Sequence, residues 1–198
     1  MKLKILMIFV VIAVISVFSV FYVKNYLFYS RPTEKISTEE ISIQKSFKLI
    51  GRNMAQFKNY SGEDLTSKSM ELKTGQSIFE LAPEEITYDS VIVHFWASWC
   101  DPCINEIPEL LEYLKRHEQA IKDKKLGIVL VSVDYEVEAI SKFLKSFPDL
   151  NAGAYVQIWD KEAILQKSFN IDRLPSTYIL HKNKPLEKYL TVVDWKRM

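Results

Sequence analysis

Trp96-Ala97-Ser98-Trp99-Cys100-Asp101-Pro102-Cys103 decides the reading of this chain, because it holds both cysteines of the sequence, spaced CxxC, directly after an apolar run. The run Val91-Ile92-Val93-His94-Phe95-Trp96 is β-branched and aromatic and predicts a buried strand, whereas Cys103 to Leu114 has helical spacing. The pair therefore falls where a strand turns into a helix. Unpaired N–H groups and the positive end of the macrodipole at a helix N-terminus stabilise an anion, which favours a thiolate at Cys100. The thiolate is the nucleophile of disulfide exchange. One helical turn on, Cys103 can reach Cys100, expel a bound partner and close an internal disulfide.

Blander readings of the pair are weaker. A bridge closing so small a loop removes little chain entropy, so a purely stabilising disulfide is disfavoured. Structural zinc wants four ligands, and the sequence has no second cysteine pair and only the histidines His94, His117 and His181. No metal and no cofactor is expected. Strand alternation puts His94 near Cys100, where a packed core histidine is the expectation. Cys103, Glu106 and Leu110 fall at i, i+3 and i+7 and share one helix face. If that face points inward, Glu106 is a carboxyl of raised pKa able to trade protons with Cys103; the alternative is an exposed first-turn glutamate helped by the dipole. Asp101 opposes thiolate formation at Cys100, which makes the couple more reducing. Pro108 predicts a bend in the helix. Trp96, Trp159 and Trp195 are assigned to packing, and Trp99 to partial exposure beside the site.

Around this motif the frame is that of a tethered domain. Ile5 to Val23 is an uncharged run of 19 residues, long enough to cross a bilayer and longer than the apolar core of a cleavable signal peptide. No Ala-x-Ala pattern follows it. Residues 1–29 therefore read as a transmembrane anchor, with Tyr22, Tyr26 and Tyr29 as an interfacial belt and the chain single-pass in the cell membrane. Residues 30–64 read as a juxtamembrane linker, rich in Ser, Thr, Glu and Lys at its start. Residues 65–198 read as one domain. With 26 basic and 25 acidic side chains the net charge is +1, and nothing suggests a nucleic-acid partner.

Along the domain, residues 68–72 and 77–81 flank Thr74-Gly75 and predict a short hairpin. Strands follow at 91–96, 126–133, 155–159, 177–181 and 185–192. Helices are predicted over 100–121, 137–147 and 161–169, the last capped by Asp160. Strands alternating with helices before a closing hairpin indicate an α/β fold, a mixed sheet flanked by helices.

The strand, the Trp99-Cys100-x-Pro102-Cys103 turn, the helix, and Leu174-Pro175-Ser176-Thr177 before a later strand resemble the thioredoxin-like fold. More narrowly, the anchor, Phe95-Trp96-Ala97-Ser98-Trp99-Cys100 and Glu106-x-Pro108 resemble the membrane-anchored thioredoxin-like thiol-disulfide oxidoreductases of the TlpA/ResA family, over residues 65–193 or so. The resemblance implies that Cys100 attacks and Cys103 resolves, with Glu106 tuning the pair. It implies that Pro175 is a cis proline facing the cysteines, with Arg173 and Leu174 presenting backbone to substrate. Trp99, Asp101 and Pro102 complete the expected substrate contacts. Family domains commonly end in a further helix, whereas Val192 to Met198 suggests a stub, so that either the segment 47–65 or a partner covers the sheet.

The implied activity is protein-disulfide reduction by dithiol-disulfide exchange outside the cytoplasm, in the periplasm or at the cell exterior. The implied partners are disulfide-bearing proteins, apocytochrome c foremost, as in cytochrome c maturation, and a membrane electron donor of the DsbD or CcdA kind. A disulfide-forming oxidase, a copper-handling protein and an adaptor on the same frame are the alternatives. Copper carriers of the Sco type space their cysteines CxxxC and need a placed histidine. A peroxidase relative would carry Thr-x-x-Cys where this chain has Ala97-Ser98-Trp99-Cys100.

Overall fold

The two most apolar runs of the domain lie side by side at the middle of its sheet. The computed structural model describes residues 40–81, 85–151, 153 and 155–198. In chain order the elements are α1 (Glu40–Arg52), β1 (Ser90–Trp96), α2 (Asp101–Arg116), α3 (Glu118–Lys122), β2 (Leu126–Ser132), α4 (Val137–Leu144), β3 (Val156–Trp159), α5 (Ile164–Ser168), β4 (Ser176–His181) and β5 (Lys184–Tyr189). The five strands form one sheet in the order β3-β2-β1-β4-β5. β1 pairs with β2 in parallel and with β4 antiparallel, so the sheet is mixed. β2 is buried along its whole length and β1 everywhere but Ser90, as continuous Val/Ile runs require when helices cover both faces. The register sets His94 opposite Thr177 and Phe95 opposite Ser176.

The stretch ahead of β1 departs most from the sequence reading. From Glu40 onward the linker expected over 30–64 is folded: α1 and the turns after it bury Phe47, Ile50, Met54, Phe57 and Tyr60. Phe47 stacks on Phe79 and meets Phe169 edge-on, both at 5.7 Å between ring centroids. Burying each such side chain stabilises by about 1.5–3 kcal/mol, which a solvated tether could not gain. Amphipathic spacing inside a polar composition was the missed signal. Gly51 lets α1 sit with its backbone on the turn Ile78–Glu80; a Cβ there would overlap the Phe79 carbonyl. The segment joins the same buried core as the sheet. Tyr60 ties it to the centre, accepting from Trp96 Nε1 at 2.6 Å and donating to the Leu130 carbonyl at 3.0 Å.

Smaller departures have local causes. The hairpin expected over 68–81 is one bridge, Glu71 to Ser77, around Gly75 at φ +78°, because Ser77 then caps a 3-10 turn through the Phe79 N–H. The helix read as 100–121 breaks at His117 into α2 and α3. α2 itself runs on through Pro108. α5 is shorter than read because Ala163 takes a left-handed conformation, φ 54°. Asp160 still caps it, accepting from the N–H groups of Ile164, Leu165 and Gln166. The anchor read over 1–29 lies outside the described residues.

Candidate active site

α2 starts at the cysteines. Cys100 is its N-cap, and its sulfur accepts from the Cys103 N–H at 3.3 Å, while Pro102 fills an early position where a missing N–H costs nothing. The two cysteines are joined as a disulfide with Cα atoms 5.2 Å apart. Cys103 is wholly enclosed, whereas Cys100 retains 6% exposure. The pair is therefore reachable through Cys100 alone.

Cys100 opens onto a depression of about 460 Å³ lined by Trp99, Asp101, Pro102, Gln166, Asp172, Arg173 and Leu174. Every expected substrate contact except Pro175 lines it. Pro175 follows a cis Leu174–Pro175 bond at the start of β4. Arg173 is not free to swing: its guanidinium makes two 3.0 Å bonds to the Asp172 carboxylate. Trp99, 56% exposed, faces Tyr135 with centroids 6.5 Å apart and planes 16° from parallel. Tyr135 after β2, Gln166 on α5 and Asp172 beside Arg173 were not singled out in the sequence, since they lie far along the chain from Cys100.

Beneath the pair the site is dry. Glu106 is buried on the same face as Cys103, and its Oε2 accepts from the Val193 N–H at 3.1 Å and from Trp195 Nε1 at 3.2 Å. Burial pushes its carboxyl up to about 8, against the pull of those two bonds and with a small push from the Glu109 charge. Burial pushes the His94 imidazole down to about 3. The inward-facing glutamate is thus the right alternative. His94 is core, as expected, yet it lies against Glu106, and Trp195 both packs and donates.

The loop before Cys100 is pinned by a carboxylate that the sequence reading missed. Buried Asp134 accepts from the Ser98 N–H at 3.0 Å, the Ser98 hydroxyl at 2.6 Å and the Ser132 hydroxyl at 2.7 Å. Trp159 Nε1 donates to the Asp134 carbonyl at 2.8 Å. An acidic residue closing an otherwise apolar strand end was the available signal.

A family model described as thioredoxin-like matches residues 88–185, the stretch that carries β1 through the start of β5. The domain is thioredoxin-like. Sporulation thiol-disulfide oxidoreductase A of Bacillus subtilis is 27% identical over 97 residues, covering 49% of this chain and 56% of that protein. Thiol-disulfide oxidoreductase ResA of Oceanobacillus iheyensis is 28% identical over 125 residues, 63% of this chain and 60% of that one. The matches span less than two thirds of the length of these relatives. Among solved structures, a secreted Mycobacterium tuberculosis disulfide oxidoreductase homologous to E. coli DsbE superposes with a TM-score of 0.51 at 14% identity, covering 71% of this chain and 88% of that one. MTB DsbF gives 0.51 at 16% identity, with 71% and 87% covered. These superpositions support the fold.

In the thioredoxin-like frame the arrangement has a definite chemical capacity. A thiolate at Cys100 would lie at the start of α2, where the helix end and the Cys103 N–H stabilise it. Such a thiolate could attack an outside disulfide, with Cys103 enclosed on the same helix face as a carboxyl that can hold a proton near neutral pH.

Proposed function

We propose that this chain is a protein-disulfide reductase working outside the cytoplasm, tethered to the cell membrane by residues 1–29. One observation carries the reading: a single disulfide offers Cys100 to an open, partly aromatic depression, while Cys103 and a carboxyl of raised pKa are buried one turn apart on the same helix. The names of the relatives, thiol-disulfide oxidoreductases, support it. In the reduced protein the Cys100 thiolate attacks a substrate disulfide, a mixed disulfide forms, and Cys103 resolves it while Glu106 takes the thiol proton. The enzyme leaves as a disulfide and the substrate as a dithiol.

The reducing direction rests on Asp101. Its exposed carboxylate, next to Cys100, works against the helix end and favours the disulfide form of the enzyme. Apocytochrome c, with its own cysteine pair, is the proposed client, and a membrane dithiol carrier of the DsbD or CcdA kind the proposed donor.

The test is the midpoint potential of the Cys100/Cys103 couple in the full chain, read by Trp99 fluorescence in thiol redox buffers. A value near about −270 mV fits a reductant, and one near about −120 mV means a disulfide-forming oxidase. In parallel, Cys103→Ala should trap a mixed disulfide on Cys100 with a disulfide-bearing client. Failure to trap any through Cys100 would overturn the mechanism.

A further inference from the structure

Among the described residues, two buried side-chain polar atoms lack a hydrogen-bond partner, and they face each other: His94 Nε2 and Glu106 Oε1, 3.3 Å apart. Both side chains are sealed from solvent. Their remaining atoms are spoken for. Glu106 Oε2 takes both donors of the C-terminal segment, which leaves Oε1 for the imidazole. His94 Nδ1 lies 2.8 Å from Thr177 Oγ1, and a hydroxyl can donate or accept. The Trp195 indole closes edge-on over the imidazole at 5.6 Å and packs against Tyr113 at 5.2 Å, keeping water out. Orphaned polar atoms are costly in such an interior, so a proton belongs in the gap between them.

We propose that His94 is a positioning residue for Glu106: its Nε2–H holds the carboxyl that exchanges a proton with Cys103, and Val193 and Trp195 leave the other oxygen free for the imidazole. The inference rests on the disulfide-exchange reading above. With the disulfide closed, Glu106 is a carboxylic acid whose Oε1 accepts His94 Nε2–H, and His94 Nδ1 accepts the Thr177 hydroxyl. When a donor thiolate attacks Cys100, the S–S bond breaks and Cys103 leaves with the bonding pair. The Glu106 proton moves to that sulfur, giving a thiol and a carboxylate. The imidazole, unchanged, gives its Nε2–H to the carboxylate and accepts the Thr177 hydroxyl at Nδ1. In the forward reaction Cys103 returns the proton to Glu106 as it attacks the mixed disulfide and releases the substrate thiolate.

Among the described residues, the other charged groups near the pair lie towards the surface. On α2 these are Glu109 and Arg116, with the Tyr113 phenol between them; on the C-terminal segment they are Asp194 and Lys196, whose ammonium pairs with Glu109 at 3.0 Å. β4 contributes only the Thr177 hydroxyl to His94.

The experiment is infrared difference spectroscopy on the full chain in detergent, following the protonated-carboxyl stretch, assigned by its absence in Glu106→Gln. In the wild type the band should weaken when the disulfide is reduced, as the proton passes to Cys103. Hydrogen bonds to an ionised group are about twice as strong as neutral ones, so losing the imidazole harms the carboxylate more than the acid. His94→Phe should therefore raise the pH at which the oxidised protein loses the band by about one unit. His94→Asn, whose amide can still donate, should give a smaller rise. An unmoved titration in both variants would make His94 mere packing and overturn the proposal, as would a wild-type band indifferent to reduction. A chain that fails to reduce protein disulfides would bring down the functional reading instead, with the Glu106 titration still readable.

Discussion

The two sides of the cysteine pair are built on opposite terms. On the outside, Trp99, Tyr135, Asp101 and the Asp172–Arg173 ion pair stand in solvent. Underneath, Glu106, His94, Thr177 and Trp195 are enclosed, and His94 Nε2 and Glu106 Oε1 face each other without a hydrogen-bond partner. One helix end serves both. The difference teaches that a redox couple can be given its partner and its proton by separate regions: the wet side can change at little cost in stability, the dry side cannot.

The contrast can be broken most severely at the couple itself. Cys100→Ser should abolish disulfide exchange in an insulin-reduction assay while leaving the circular dichroism spectrum unchanged, because the lost chemistry is not a packing term. Next comes the dry side. Glu106→Ala leaves a cavity and strips the Val193 and Trp195 N–H groups of their acceptor, which should cost about 3 kcal/mol in denaturant unfolding. Glu106→Gln, which keeps the volume, should cost less.

The dry pair also predicts a shape for stability against pH. Glu106 holds its proton more tightly folded than unfolded, so stability falls as pH rises from 4.5 towards about 8. His94 holds its proton less tightly folded, so stability falls as pH drops from 6.5 towards about 3. Between 4.5 and 6.5 the two slopes cancel. The contribution is therefore flat there and declines by about 1.4 kcal/mol per pH unit on either side. Urea midpoints of the oxidised chain from pH 3 to 8 check this, and Glu106→Gln should flatten the alkaline limb.

Ser98→Ala probes the border between the two sides. It removes one of the donors to Asp134 and should cost about 1.5 kcal/mol, with a matching fall in the midpoint of chemical unfolding. The smallest effect on stability belongs to the wet side: Trp99→Ala should change it by less than about 0.5 kcal/mol, yet weaken client reduction. A large loss of stability there would mean that the outer surface is structural after all.

How much of this was legible follows from how far each contact reaches along the chain. The strand 91–96, the CxxC turn and the first helical face are local patterns, and they placed Cys100, Cys103 and Glu106 correctly. The fold class followed from the alternation of apolar runs. What closes the site was not legible. Trp195 reaches Glu106 across 89 residues, and Ser98 reaches Asp134 across 36, distances at which no periodicity speaks. α1 was hidden for another reason, since its polar composition masked a buried stripe at Phe47 and Ile50.

Gly51 belongs to neither side, and a saturation library would show why it matters. Selected for disulfide exchange alone, Gly51 variants and cysteine variants would vanish together. Scored for cellular abundance, the cysteine variants would return and Gly51 variants would not, because any side chain there lifts α1 off the Phe79 carbonyl. A position 49 residues from the nearest cysteine would thus look catalytic in one screen and be unmasked as architectural by the other.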